Sequence, residues 1–315
     1  MIEVIAQTLA PVFLLILMGA ALRQTGFLDA AMESSMNRFC YWVALPVFIV
    51  LKVAQAPSID ATAARAAGAL ALVTLALALI GIVLARLLRL PPRSRGTFNQ
   101  AGFRGNLAFV GLPVIAFALR GYSDELQRHG QSLAVLTMIP TVLMYNLLGV
   151  MALEWDRRGD HDSHPMRTWI RSTLRNPLVL ACVAGLIWNL TPVSVPELVD
   201  TTASPVAATA FPLALAAIGA RIRSLPWHRT GRALVGVCLL KNAIGPLLGL
   251  GVCTLLDLTE VHQLVVLILC ATPTAVSSYV LVDQLDGDRD LAASAIAGTT
   301  LASFAGLAAS LWLAL

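Results

Sequence analysis

Long stretches of this chain carry no charge, and this limits what it can fold into more than any other feature. Leu70 to Leu84 and Leu291 to Leu315 contain no Asp, Glu, Lys or Arg. As a helix, the second of these is about 37 Å long at 1.5 Å per residue, more than the roughly 30 Å of a bilayer's hydrocarbon core. A soluble domain of 315 residues needs a surface about 25% charged, whereas here only 13% of residues are charged, 57% are hydrophobic and the mean hydropathy is +0.77. The apolar surface must face lipid. A transmembrane barrel would show alternating segments of roughly ten residues, so the continuous runs specify helices. The net charge of +4 and pI near 9.0 point to membrane topology rather than nucleic acid, because the cations sit in short segments between apolar runs.

Apolar runs between charge clusters predict ten spans, near 4–22, 36–54, 66–88, 97–119, 132–155, 177–195, 204–222, 233–256, 262–282 and 291–315. Val4 to Leu22 is preceded by no basic residue and followed by Arg23, the reverse of a signal peptide, so it is expected to remain as a span. Sixteen Lys and Arg fall in the odd-numbered loops and four in the even loops and termini. The positive-inside rule then places the odd loops in the cytoplasm and both termini outside. Arg outnumbers Lys 20 to 2 and alanine is abundant, a bias associated with GC-rich bacterial genomes, so the expected location is a bacterial inner membrane with periplasmic termini. Cys40, Cys182, Cys238, Cys253 and Cys270 lie in apolar segments without a CxxC or Cys/His spacing, and read as small core residues rather than metal ligands.

The prolines suggest an internal repeat. Pro11 to Pro46 spans 35 residues, as does Pro177 to Pro212, and Pro46 to Pro113 spans 67 against 61 for Pro212 to Pro273. Ala44-Leu45-Pro46-Val47-Phe48 also resembles Ala210-Phe211-Pro212-Leu213-Ala214. The expected architecture is an all-α polytopic membrane protein of ten transmembrane helices, built as two inverted five-helix repeats: 1–155, a cytoplasmic linker 156–176, and 177–315. Five spans per copy is an odd number, so the copies enter the membrane from opposite sides, a plan common among secondary transporters.

Spans four and nine each place proline among polar and small residues at mid-membrane. The fourth runs from Arg104 through Asn106 and Gly111 to Pro113, and the ninth reads Thr272-Pro273-Thr274-Ala275-Val276-Ser277-Ser278. Proline removes a backbone donor and disrupts the preceding turn, leaving groups that lipid cannot satisfy. Helices broken and crossed there would aim two positive half-helix N-termini at one point, a suitable place for an anion. Asn106, Gly111, Pro113, Thr272, Pro273, Thr274, Ser277 and Ser278 are the candidate substrate residues. Packed proline kinks, with hydroxyls bonded back to their own helix, remain the alternative. Arg104 and Lys241 are the two cations inside spans and candidates for a charge or coupling role, although each is near enough to a span end to snorkel. Glu154 and Asp283 read as interfacial, and Asp286-Gly287-Asp288 as a polar turn lacking a calcium loop's ligand pattern. No GxSxG, HExxH, Walker or GxGxxG motif is present, so no enzymatic reaction is expected.

With these residues in hand, the chain resembles the auxin efflux carrier family, and within it bacterial members of the malonate-permease type. The resemblance rests on Leu9-Ala10-Pro11-Val12-Phe13, Ala44-Leu45-Pro46, Arg104 to Pro113, Arg175-Asn176-Pro177, Lys241 to Pro246, Pro273-Thr274, Tyr279-Val280-Leu281 and Gly287-Asp288. It implies a fold of the sodium/proton antiporter and bile-acid transporter type, with spans 1, 2, 6 and 7 as scaffold and spans 3–5 and 8–10 as a moving transport domain. It further implies an elevator mechanism, dimerisation through the scaffold, and a substrate site at Asn106, Pro113 and Pro273 faced by scaffold residues near Pro46 and Pro212. Two departures bear on mechanism. The loop between spans five and six is only about twenty residues, against a long cytosolic loop in plant members. Those members also carry a second proline where Ser278 stands and an acidic residue in the third span, which has none here.

The expected function is secondary transport of a small organic anion, a mono- or dicarboxylate such as malonate, with H+ or Na+ as candidate coupling ion and no cofactor. A ligand sensor built on a carrier fold and a passive anion channel are the alternatives.

Overall fold

The computed structural model describes residues 2–55, 61–154, 176–223 and 231–314; apart from Asn176, the expected linker 156–176 lies outside them. The described chain is helical, and its one strand-like feature is an isolated bridge between Gly105 and Thr274. In order, the α-helices are α1 Ile2–Gln24, α2 Ala30–Phe39, α3 Leu45–Ala54, α4 Ala61–Leu87, α5 Pro92–Phe103, α6 Leu112–Ala118, α7 Asp124–Glu154 and α8 Pro177–Asn189. They continue with α9 Glu197–Ala208, α10 Ala210–Arg223, α11 Gly231–Leu239, α12 Gly245–Leu255, α13 Glu260–Ala271, α14 Ser277–Gln284 and α15 Arg289–Ala314.

Seven continuous helical segments are long and apolar enough to cross a bilayer: Glu3–Gln24, Ala30–Ala54, Ala63–Leu87, Asp124–Glu154, Glu197–Ile222, Gly231–Leu255 and Arg289–Ala314. Three shorter apolar helices, Leu107–Gly121, Pro177–Asn189 and Glu260–Ala271, stand where the fourth, sixth and ninth spans were expected. The fourth and ninth are interrupted at Arg104–Asn106 and Thr272–Val276, and the sixth stops at Asn189 rather than near 195. Several long helices begin earlier than hydropathy suggests, α7 at Asp124 and the second at Ala30, because polar first turns and the Asp29 N-cap extend them beyond their apolar runs.

Prolines shape the helices at three places in the same way. Cys40–Ala44, Leu107–Gly111 and Leu240–Ile244 are single π turns, each followed two residues later by Pro46, Pro113 or Pro246. In each, the residue before the proline donates five residues back, from Leu45 to Cys40, Leu112 to Leu107 and Gly245 to Leu240. Since proline cannot donate to the carbonyl four residues back, the helix widens by one residue instead of breaking. The pairing of Pro11 with Pro177 does not extend to helix position: Pro11 lies inside α1, whereas Pro177 opens α8 behind the Asn176 cap.

Hydrogen bonds between element ends define two faces. Gln55 donates to Asp200, Asn189 to the Ala54 carbonyl, Ser132 to the Lys52 carbonyl and Arg65 to the Leu256 carbonyl on one. On the other, Arg93 donates to the Asp286 carbonyl and Ser94 to Asp288, while Glu33 pairs with Arg221 at 3.6 Å. Asp286-Gly287-Asp288 is the expected polar turn, and Asp288 caps α15 through the Leu291 amide. Asp283 forms a half-exposed ion pair with Arg289 at 2.7 Å.

Small residues set the closest packing. α1 lies against α10 with Gly19 on the Ala216 carbonyl and Gly219 on the Ile16 carbonyl, contacts that any side chain at either glycine would break. α3 packs similarly on α8, where Gly185 meets Val50 and Val53. A second set of helices, α4, α5, α7, α12, α13 and α15, forms its own mutual contacts and encloses both interruptions.

Candidate functional site

The two interruptions meet in the interior and are joined backbone to backbone. The Asn106 amide donates to the Pro273 carbonyl at 2.7 Å, and the Ala275 amide to the Arg104 carbonyl at 2.9 Å, so Arg104–Asn106 and Pro273–Ala275 form a minimal antiparallel bridge. The groups that each interruption leaves unpaired are thus largely supplied by the other. Side chains complete the closure: Thr274 donates its hydroxyl to the Ala101 carbonyl, and its amide bonds to Thr299 of α15. Thr272 bonds back to the Leu269 carbonyl.

Gly105 permits this approach. A Cβ there would collide with the Thr272 hydroxyl and stand 3.1 Å from Lys241 Nζ. Gly111 is similarly close-packed, since a Cβ there would reach 2.7 Å from a Leu269 methyl and 3.2 Å from the Thr272 methyl.

Both intramembrane cations are buried at this crossing rather than snorkelling. Lys241 is 1% exposed and is carried there by the π turn at Leu240–Ile244. Arg104, 8% exposed, directs its guanidinium to the Tyr145 carbonyl at 3.2 Å, to Asn146 Oδ1 at 3.0 Å and to the Ser277 hydroxyl at 3.5 Å. Among the described residues the one buried carboxylate is Glu33, which pairs with Arg221 instead. Asn106 is 5% exposed, and its carboxamide does not cap the helix that follows it.

The structure therefore brings Asn106, Gly111, Thr272, Pro273, Thr274 and Ser277 together, with Lys241 and Arg104 beside them. It divides their work, however: Thr272 and Thr274 hold the crossing closed, while Asn106 and Lys241 are its uncommitted polar groups. Ser278, also buried, keeps its hydroxyl unpaired and accepts at its carbonyl from Gln100. Pro113 lies in the first turn of α6 and acts through the π turn before it. Pro46 and Pro212 are elsewhere. Pro46 lines a groove among α3, α8 and α9, and Pro212 is exposed in the first turn of α10.

Several contributors escaped the sequence reading. Tyr145 and Asn146 anchor Arg104, Thr299 holds Thr274, and Tyr41, in the first π turn, lies within electrostatic reach of Arg104. The adjacent Tyr145-Asn146 pair in an apolar span was a usable signal; Thr299, one of many small residues in α15, gave none. On the Gln55 face a cavity of about 210 Å³ opens between α3, α7 and α9, lined by Phe48, Lys52, Gln55, Gln131 and Ser204.

A profile of one protein family, described as membrane transport protein, matches residues 4–313, nearly the whole chain. The chain belongs to that family, the family of the auxin efflux carriers. No curated protein matches it. For a membrane transport protein, the buried crossing, with cations at its centre and apolar helices around it, is the natural candidate for the place where cargo is held.

Proposed function

We propose that this membrane transport protein is a secondary carrier of a small organic anion, a mono- or dicarboxylate with malonate as first candidate, held beside the helix crossing. The observation that carries the reading is electrostatic. Two cations are buried beside the crossing, and Lys241 makes no ion pair with a carboxylate among the described residues. An unpaired buried charge is costly, and an anionic cargo supplies the missing partner. Asn106 adds a carboxamide to orient a carboxylate, and Lys52 in the cavity on the Gln55 face would attract anions towards the crossing.

Transport on this reading is elevator-like alternating access. Of ten spans in two inverted repeats, 1, 2, 6 and 7 form a scaffold that pairs the chain into a homodimer, and 3–5 and 8–10 move with the crossing. The separate packing of α1 on α10 and α3 on α8 supports the division. The setting is a bacterial inner membrane with both termini periplasmic, as the loop charges favour.

The test is uptake of labelled malonate into proteoliposomes under an imposed pH or sodium gradient, beside the Asn106→Ala protein. Saturable uptake that Asn106→Ala abolishes, in a correctly inserted protein, supports the site. Wild-type uptake by the variant rejects it. Counterflow of internal label against external substrate separates a carrier from a channel, and binding without flux would indicate a sensor.

A further inference from the structure

Away from the crossing, α4, α5 and α7 enclose a groove of about 320 Å³ whose lining includes Leu75, Leu79, Ile82, Phe103, Leu148 and Met151. Three properties distinguish it from an ordinary lipid-facing surface. Its rim carries two cations, Arg86 from α4 and Arg95 from α5, at the end where the two helices meet across the loop bearing Arg89. Arg95 is fixed there by its own Nε, which donates to the Leu90 carbonyl at 2.9 Å. Its wall includes Asn99, 6% exposed, one turn deeper than Arg95; the carboxamide is packed against Gly81 and its Oδ1 accepts no hydrogen bond. Its length is also informative: from Leu75 to Arg86 the helix rises about 16 Å, close to the roughly 15 Å of hydrocarbon in one leaflet.

We propose that this groove is a binding site for an anionic phospholipid of the leaflet on the Arg86 and Arg95 face. The phosphate lies between the two guanidinium groups, the ester region beside Asn99, and one acyl chain runs inward along Leu79 and Ile82 to Phe103. Charge complementarity selects the headgroup, and the match between groove and leaflet depth selects a lipid over a small soluble anion. Phe103 is the residue immediately before the Arg104 interruption, so the bound chain buttresses the helix end that leads into the crossing. The site is independent of the cargo assignment.

Native mass spectrometry of the full chain in mild detergent, titrated in parallel with phosphatidylglycerol, phosphatidylethanolamine and palmitate, tests the proposal. Phosphatidylglycerol is expected to be retained in preference to both others. Arg86→Gln with Arg95→Gln should weaken it about thirty-fold, the loss expected for two basic groups at a membrane surface, whereas the paired lysine variant keeps most of the affinity. Leu79→Trp is a second probe, because Leu79 is 65% exposed and a tryptophan there fills the groove without entering the packed interior. If the glutamine pair is not monodisperse, Leu79→Trp decides the matter alone. Equal retention of zwitterionic lipid, preference for palmitate, or phosphatidylglycerol binding unchanged by Leu79→Trp would overturn the proposal.

Discussion

A single methyl group added at Gly105 should loosen the crossing, and its effect can be worked through from the surrounding atoms. In Gly105→Ala the new Cβ lands on the Thr272 hydroxyl, with Lys241 Nζ at 3.1 Å and a Leu107 methyl at 3.2 Å. The hydroxyl cannot easily swing aside, because it is held by the Leu269 carbonyl at 2.7 Å. Overpacking of this kind costs about 1–3 kcal/mol when neighbours shift. If the shift also opens the Asn106–Pro273 and Ala275–Arg104 bonds, about 1 kcal/mol more is lost for each. The expected destabilisation is therefore about 1–3 kcal/mol if the bridge holds and about 3–5 kcal/mol if both bonds open, measured by reversible denaturation in mixed micelles. Thr272→Ala removes the colliding atom and on its own costs about 1 kcal/mol for the lost back-bond. The double variant should be more stable than the sum of the two by about 1 kcal/mol or more, as expected for residues in direct contact. A neutral Gly105→Ala, or strict additivity in the cycle, would refute the close crossing.

Other substitutions probe separate parts of the argument. Lys241→Met should leave the empty protein as stable or about 1 kcal/mol more stable, while abolishing the thermal stabilisation that malonate gives the wild type; a variant still stabilised by malonate would remove Lys241 from the site. Arg104→Lys keeps the charge but loses the fork that reaches both the Tyr145 carbonyl and Asn146, so uptake should fall at least tenfold with insertion unchanged, as checked in proteoliposomes. Gly219→Val, pressed against the Ile16 carbonyl, should prevent α1 from seating on α10 and abolish monodisperse protein on size exclusion. A disulfide between cysteines at Gln55 and Gln131, which line one cavity, should arrest the proposed elevator movement in a background without native cysteines and release it on reduction.

The helical membrane class was legible because hydrocarbon leaves so few options: uncharged runs such as Leu291 to Leu315 must be helices, and α15 occupies almost that range. The interruption in the ninth span was legible because Pro273 sits among polar residues where a continuous helix would be costly; in the fourth span the break falls at Arg104–Asn106, ahead of Pro113, where the helix widens and continues. The π turns were not legible. A proline announces a missing donor, but only packing decides whether the helix kinks, stops or widens, and Pro11, Pro46 and Pro177 have three different outcomes. The same limit applied to Pro46 and Pro212, which the family resemblance set facing the cargo site; a motif match carries no information about the direction of a side chain. Burial of Arg104 and Lys241 was likewise beyond reach, because a position a few residues from a span end fits both a snorkelling cation and one turned inward.

The way the crossing satisfies itself changes what a ligand there can bind. Two broken helices in lipid would leave amides and carbonyls that cost several kcal/mol each unless something completes them, and a bound anion is one such completion. Here the Asn106 and Ala275 amides, the Arg104, Ala101 and Pro273 carbonyls and the Thr274 amide all have protein partners. The backbone is therefore satisfied without cargo, so the crossing is assembled when empty, as the return half of the proposed carrier cycle would require. On the proposed reading of an anion carrier, recognition then falls to side chains that the staple does not consume, the Lys241 ammonium and the Asn106 carboxamide. One fixed cation and one neutral amide make a site that tolerates variation in the rest of the molecule but requires a negative group. Selectivity among carboxylates on this design comes from the space around the charge, so substitutions at the close-packed glycines should alter which anion is accepted, and substitutions at Lys241 whether any is.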